Sequence, residues 1–120
     1  MNYNSHYFFK GIALFEIIFY GEIEKFLDSI EVQSRAKTLS ILELLSENGN
    51  LLGMPHSKSL NNGLFELRIK SKQNIRIFYI FTKYKKIYLL HGFIKTSQKT
   101  PKKELEKALT LKERVENENF

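Results

Sequence analysis

The sequence predicts an α+β domain in which a small antiparallel sheet packs against helices. Apolar residues make up 42% and charged residues 27% of the 120 residues, which is ordinary for a globular protein. The first half of the chain contains helical apolar spacing, and the second half alternates as strands do. We expect one domain over residues 1–120, with 1–11 as an unassigned N-terminal extension and 116–120 as a frayed tail. The predicted element order is β-α-α-β-β-β-α.

The first three elements are predicted from apolar spacing and one glycine. Residues 12–19 are rich in β-branched and aromatic side chains and predict a strand that joins an edge of the sheet. Residues 22–30 predict a short amphipathic helix, and 32–48 predict a longer one that ends at Gly49. The predicted apolar stripe of the longer helix consists of Val32, Ala36, Leu39, Leu42 and Leu45, widened by Ile41 and Leu44.

The second half predicts three strands and a last helix. Residues 49–63 are rich in Gly, Asn and Pro and predict a turn-rich connection. Short linkers then separate three apolar segments into hairpins, the predicted strands being 64–70, 75–81 and 87–93. Thr100 and Pro101 predict a helix start, as N-cap and first helical residue. Helices would cover one face of the sheet, and the open face would carry Arg68, Lys70 and Arg76.

Charge is distributed unevenly along the chain. The net charge is +6, yet residues 1–55 hold 4 basic and 7 acidic side chains. Residues 56–103 hold 12 basic side chains and one acid, Glu66. Such a concentration of positive charge favours a polyanionic partner such as nucleic acid. A basic surface that only keeps the protein in solution is the simpler alternative.

Several classes of protein are excluded or disfavoured. The chain has no cysteine, so disulfide frameworks, thiolate metal sites and cysteine nucleophiles are excluded. Its three histidines lack the compact spacing of a metal site, so we expect no metal. The longest apolar stretch is too short to cross a bilayer, so we expect no membrane association. The absence of cysteine favours a cytoplasmic location.

Five motifs, in order, give the chain a family resemblance. It resembles the RelE/ParE superfamily of bacterial toxins, and within it the phage-derived HigB-like toxins, over roughly residues 20–110. The motifs are Gly-Met-Pro-His at 53–56, Gly-Leu-Phe-Glu-Leu-Arg at 63–68, Ile-Arg-Ile-Phe-Tyr at 75–79, Leu-Leu-His-Gly-Phe-Ile-Lys at 89–95 and the segment 96–105. The resemblance implies a RelE-like fold.

The same resemblance implies an activity and partners. The protein would be the toxin of a type II toxin–antitoxin pair and a metal-independent endoribonuclease without a cofactor. It would enter the ribosomal A site and cut messenger RNA through attack of a ribose 2′-OH on the adjacent phosphate. Its partner would be a helix-turn-helix antitoxin of the HigA kind. Alone it would be monomeric, and with the antitoxin a hetero-oligomer.

The candidate catalytic residues are those that could stabilise phosphate charge or move protons. Arginine forks match phosphate oxygens, so Arg68 and Arg76 are candidates, and the resemblance makes Arg76 the transition-state arginine. The resemblance also places Lys95 over the cleft. Glu66 is a candidate base or an ion-pair partner of an arginine, and His91 is a candidate acid or base or a hydrogen-bonded core residue. The candidate RNA-binding residues are His56, Lys58, Lys70, Lys72, Lys99 and Lys102.

Two other functional classes remain open at this point. A ParE-like toxin would poison DNA gyrase by binding, without nuclease chemistry, and the shared fold does not separate it from a nuclease. A catalytically inactive RNA-binding module is the third possibility. Loss of RNA cleavage on mutation of Arg76 would favour the nuclease, because gyrase binding needs no catalytic arginine.

Overall fold

A computed structural model describes residues 14–118, and the predicted extension 1–11 lies outside them. Residues 12 and 13 of the first predicted strand and the last two residues of the predicted tail also lie outside. The strands are β1 (Glu16–Phe19), β2 (Ser57–Asn61), β3 (Leu64–Lys70), β4 (Asn74–Thr82) and β5 (Lys86–Ile94). The helices are α1 (Ile23–Ser29), α2 (Val32–Asn48) and α3 (Lys102–Glu118), with a 3₁₀ turn at Gly49–Leu51.

The five strands form one mixed sheet in the order β1-β5-β4-β3-β2. The predicted α+β class and the β3-β4-β5 antiparallel meander are confirmed. The wholly antiparallel sheet was wrong, because β1 joins the edge parallel to β5. Local alternation predicts a strand but not its direction, which depends here on the α1–α2 connection that separates β1 from the meander.

An additional strand, β2, lies within the predicted connection 49–63. Its sequence, Ser-Lys-Ser-Leu-Asn, contains one apolar residue, and it pairs with β3 alone. An edge strand of this kind has little apolar signal because water covers much of it. The element order therefore contains four strands after α2 rather than three.

The helices lie on both faces of the sheet. Helices α1 and α2 cover one core, which includes Leu27, Leu42, Leu67, Ile77 and Leu89. Helix α3 covers the other through Ala108 and Val115, which pack with Leu64, Phe78, Ile80 and Leu90. The expectation that helices cover one face was wrong, since β4 is apolar on both faces and α3 brings its own apolar stripe.

A β-bulge divides β5 between these two cores. Phe78 pairs with His91, whereas the next residue, Tyr79, pairs with Leu89. Leu89 therefore lies in the α1–α2 core, and the His91 ring stacks on Phe78 on the α3 face. Strict alternation along β5 would place Ile87, Leu89, His91 and Phe93 on one face, but the extra residue reverses the alternation.

The predicted boundaries of the helices hold within a few residues. Gly49 has a φ of 54° and its N–H donates to the Leu45 carbonyl, so it ends α2 as predicted. Helix α3 begins at Lys102, after Pro101, and continues through residues 116–118, which we had expected to fray. Within residues 14–118, no helix is long and apolar enough to cross a bilayer.

The buried face of α2 differs from the predicted stripe. Val32, Ala36 and Leu44 are exposed, whereas Ser34 and Thr38 are fully buried. Thr38 Oγ1 donates to the Ser34 carbonyl at 2.7 Å, so its hydroxyl is satisfied within the helix. Small hydroxyl side chains with such bonds allow α2 to pack closely on the sheet.

Candidate active site

Two arginines and one glutamate form a charged cluster on the sheet. The β3–β4 register places Arg68 directly opposite Arg76, and Glu66 lies two residues before Arg68 on the same face. Arg68 Nε donates to Glu66 Oε1 at 2.9 Å. Arg76 Nε lies 3.9 Å from the same oxygen, and Thr100 Oγ1 donates to Oε2 at 3.3 Å. Glu66 thus forms the ion pair that was one of its two predicted roles.

Arg76 is a buried cation. Its side chain is 8% exposed, and that of Glu66 is 3% exposed. Burial lowers the pKa of Arg76 from its ordinary value, Glu66 opposes this shift, and Arg68 adds to it. The 3.9 Å contact is an ion pair too long for a hydrogen bond, and Arg76 Nε has no hydrogen-bond partner within the described chain. Our expectation that Arg76 lies on an open face was therefore wrong, because its side chain is buried.

A cleft of about 410 Å³ opens beside this cluster at the edge of β3. It lies where β3 extends past Ser57, the first residue of β2, between α2 and the loop before β2. Its cations come from three elements: α2 contributes Lys37, β3 contributes Arg68 and Lys70, and β4 contributes Arg76. The loop contributes Met54, Pro55 and His56, whose carbonyl accepts from Arg68 N at 2.8 Å. The cleft therefore combines fixed positive charge with one imidazole, which suits a phosphate ligand.

A second groove, of about 350 Å³, runs between the β2–β3 face and α3. Glu66 and Arg68 line one part of it, and Arg68 also lines the cleft. Lys58 and the apolar side chains of Leu64 and Phe78 line the rest, together with Leu60, Asn61, Asn62, Thr100, Leu105 and Leu109. Arg68 thus separates two adjoining depressions on one side of the molecule.

The structure brings some predicted site residues together. Arg68, Arg76, His56 and Lys70 line the cleft, and Glu66 and Lys58 line the groove. Thus two predicted catalytic residues and two predicted RNA-binding residues share one depression.

Other predicted residues do not line the cleft. His91 Nε2 contacts Glu104 Oε1 at 2.8 Å, and its ring lines a separate pocket between α1 and α3. Lys95 Nζ donates to the Gln98 carbonyl. Lys72 lies in the β3–β4 turn, and Lys99 is exposed before α3. Lys102 is exposed on α3 beside Glu106.

Two site residues were not predicted as such. Lys37 contributes to the cleft from α2, about 30 residues before the nearest candidate catalytic residue, and its Nζ donates to the Lys70 carbonyl. Nothing in its local sequence distinguishes it from other helix-surface lysines. Thr100 was predicted only as an N-cap, yet its hydroxyl donates to Glu66. The threonine before Pro101 was a signal for a helix start, not for a contact with β3.

Histidine and carboxylate side chains do not gather into a metal-binding group within residues 14–118. The charged groups that do gather, in the cleft, are cations, which bind anions directly. What the arrangement offers is recognition of phosphate oxygens by two guanidinium groups, beside an imidazole that can donate or accept a hydrogen bond.

The family match covers the elements that form this site. No curated protein matches the chain. The family model of the phage derived protein Gp49-like (DUF891) matches residues 25–113, which include all of α2, β2, β3, β4 and β5 and most of α3. That family is associated with toxin–antitoxin modules. Since the match spans well over half of the sequence, the chain belongs to the Gp49-like family of phage-derived proteins.

Proposed function

We propose that this protein is the toxin of a type II toxin–antitoxin pair and acts as a ribosome-dependent endoribonuclease. The observation that carries the proposal is the buried Arg76 beside Arg68 in a cationic cleft that also holds His56. The association of the Gp49-like family with toxin–antitoxin modules supports it. The proposed partners are messenger RNA in the ribosomal A site and a helix-turn-helix antitoxin of the HigA kind, and the proposed fold relationship is to RelE.

The proposed reaction needs stabilisation of charge and two proton transfers. The 2′-oxygen bonds to phosphorus, the bond to the 5′-oxygen of the next nucleotide breaks, and a cyclic phosphate and a 5′-hydroxyl result. Charge accumulates on the phosphate oxygens in the transition state, and preorganised cations in a partly dry site stabilise it strongly. Arg76 suits both conditions, because it is buried, lies beside Glu66 and lines the cleft.

His56 is the proposed proton-transfer residue of the cleft. Its backbone is fixed at both groups, since its N–H donates to the Gly53 carbonyl and its carbonyl accepts from Arg68. Imidazole exchanges protons most readily near neutral pH, so it can accept the 2′-OH proton or protonate the leaving oxygen. Glu66 is proposed to orient Arg68 rather than to act as the base. His91 and Lys95 do not line the cleft, and His91 serves as a comparison position.

The test is mapping of the 5′ ends of a reporter messenger RNA in a translating extract, with ribosomes omitted as a control. The variants are Arg76→Ala, Arg76→Lys, His56→Gln and His91→Gln, with Lys103→Ala as a charge-matched control on exposed α3. We expect codon-registered cuts that need ribosomes. Arg76→Ala should reduce their rate roughly 10²–10³-fold. His56→Gln should reduce it roughly 10²-fold or more, because acid–base groups contribute about 10²–10⁴-fold.

Three outcomes would contradict parts of the proposal. Intact messenger RNA at high protein concentration would exclude the nuclease and direct attention to gyrase cleavage assays. Cuts without ribosomes would exclude ribosome dependence. Full activity of a folded Arg76→Ala variant, checked by circular dichroism, would remove Arg76 from the site, and Arg76→Lys would show whether the fork or only the charge matters.

A further inference from the structure

The tip of the β4–β5 hairpin, residues 83–86, carries an exposed aromatic side chain among lysines. Its sequence is Lys-Tyr-Lys-Lys. Tyr84 is 88% exposed, more than any other large apolar side chain of residues 14–118. Lys83 and Lys85 are also exposed. An aromatic ring held in water contributes little to folding, because little of its apolar surface is buried.

The backbone of the hairpin tip disfavours the residues found there. Tyr84 has a φ of 64° and Lys85 a φ of 56°, both in the left-handed region. Glycine and asparagine adopt this region at lower cost than residues with a long or aromatic side chain. A hairpin that needed only to turn would favour those residues at positions 84 and 85. Side chains retained at a cost in the turn are a sign of a role outside folding.

The tip is held in place by neighbouring strands. Glu16 N donates to the Lys85 carbonyl at 2.9 Å, and Thr82 Oγ1 donates to the Lys86 carbonyl at 3.2 Å. Lys85 Nζ lies 5.9 Å from the centre of the Phe15 ring. Within residues 14–118, the sheet register places one acid, Glu16, beside the tip, opposite Lys86, and the three lysines of the tip outnumber it. The tip is thus an ordered cationic surface with a projecting aromatic ring.

We propose that the hairpin tip is a second RNA-binding site, for single-stranded RNA. Tyr84 would stack on an unpaired base, and the lysines would contact phosphates, which is how many proteins bind single strands. Tyr84 lies eight positions after Arg76 along β4 and the turn, roughly 25 Å in extended chain. The tip is therefore separate from the cleft and would anchor RNA while the cleft acts on it. The choice of RNA as partner rests on the proposed function.

The test is binding of a fluorescent, fully 2′-O-methylated RNA, measured by anisotropy. An oligonucleotide of about 20 nucleotides exceeds the ~4–16 that one single-strand-binding domain covers. Methylation blocks the ribose 2′-OH, which is the nucleophile of the proposed reaction. The RNA therefore stays intact, and its binding is measured whether or not the protein is a nuclease. We expect Tyr84→Ala to weaken binding roughly fivefold or more, and Tyr84→Phe to leave it close to wild type. Lys83→Ala should reduce the slope of log affinity against log salt by about 0.7, and the control Lys103→Ala should not.

A double variant separates RNA binding from folding. Tyr84→Asn with Lys85→Gly supplies the residues that the backbone favours, so it should raise the melting temperature while weakening RNA binding. Wild-type affinity in both this variant and Tyr84→Ala would overturn the inference. Equal weakening by Tyr84→Phe and Tyr84→Ala would overturn stacking. RNA binding that depends on Tyr84, without any cleavage of messenger RNA, would refute the nuclease and support the hairpin tip as an RNA-binding site. Cleavage of messenger RNA with RNA binding that does not depend on the tip would support the nuclease and refute the second site.

Discussion

At the scale of single residues, Glu66 determines the state of the cationic cluster. It is the single acid among residues 56–103, and it contacts Arg68, Arg76 and Thr100 at once. Two guanidinium groups lie on directly opposite residues of β3 and β4, where like charges repel. The carboxylate compensates this repulsion, because it lies within ion-pair distance of both guanidinium groups.

We therefore expect Glu66→Gln to destabilise the fold by about 2–3 kcal/mol. Removal of one partner of a buried ion pair costs about 3–5 kcal/mol, and the 28% exposure of Arg68 reduces that figure. Urea unfolding measures the change. The control is Glu106→Gln, which breaks an exposed pair with Lys102 and should cost no more than about 0.5 kcal/mol. Equal effects of the two substitutions would mean that the arginines do not depend on Glu66.

At the scale of elements, the start of α2 is a charged cap that connects the helix to a turn of the sheet. Glu31 accepts from Gln33 N and Ser34 N, both at 2.9 Å, and its own N–H donates to Gln73 Oε1. Gln73 N in turn donates to Ser34 Oγ. The cap therefore fixes α2 against the β3–β4 turn, which holds Lys37 over the edge of β3.

The cap predicts a pH dependence of stability. The backbone N–H groups of Gln33 and Ser34 lower the pKa of Glu31 below its ordinary value of 4.5. A carboxylate with a lowered pKa stabilises the fold above its unfolded pKa, and this contribution is lost as the pH falls through the folded pKa. We expect Glu31→Gln to melt below wild type at pH 7, and the gap to close well below pH 4.5. Thermal unfolding at both pH values tests this, with Glu47→Gln near the end of α2 as the control. A gap that does not change with pH would contradict the prediction.

Close contact between α1 and β5 depends on a residue without a side chain. A Cβ added at Gly92 would lie 2.5 Å from the Phe26 ring, whereas one at Gly53 would meet nothing within 4 Å. We expect Gly92→Ala to destabilise the fold by about 1–3 kcal/mol, and Gly53→Ala to change it by less than about 0.5 kcal/mol. Denaturant unfolding measures both, and Phe26→Leu should recover part of the loss at Gly92. Equal stability of the two alanine variants would show that the ring moves without cost.

At the scale of the whole molecule, the cationic regions lie apart from the two apolar cores. Two apolar cores lie on opposite faces of one sheet, and the cations of the cleft come from α2, β3 and β4. The hairpin tip adds lysines at the other end of β4. The two cationic regions therefore belong mostly to the second half of the sequence but lie at opposite ends of β4.

This arrangement predicts RNA binding with a strong salt dependence. With three or four phosphates contacted, the slope of log affinity against log salt should be about −2 to −3 for single-stranded RNA. Anisotropy titrations over a range of salt concentrations measure it. An oligonucleotide with an uncharged backbone is the control and should show a slope near zero. A shallow slope with the charged RNA would mean that phosphates are not the ligands.

The part of the site that could be predicted consists of residues close together in the sequence. Alternation along β3 and the short β3–β4 hairpin predict that Glu66, Arg68 and Arg76 share one face, and the strand register confirms this placement. Lys37 and Thr100 were missed because each reaches the site through a contact between distant segments. His91 was ambiguous for the same reason, since only the bulge in β5 decides which core its ring joins.

By itself, the sequence determined the α+β class, the antiparallel meander, the α1–α2 pair and the basic character of the second half. These follow from apolar periodicity, turn residues and charge, which act over a few neighbouring residues. Only the tertiary structure decided the direction of β1, the face covered by α3, the burial of Arg76 and the meeting of Lys37 with β3. These depend on packing between segments that lie tens of residues apart in the sequence. A local pattern of side chains does not indicate the free energy of such packing.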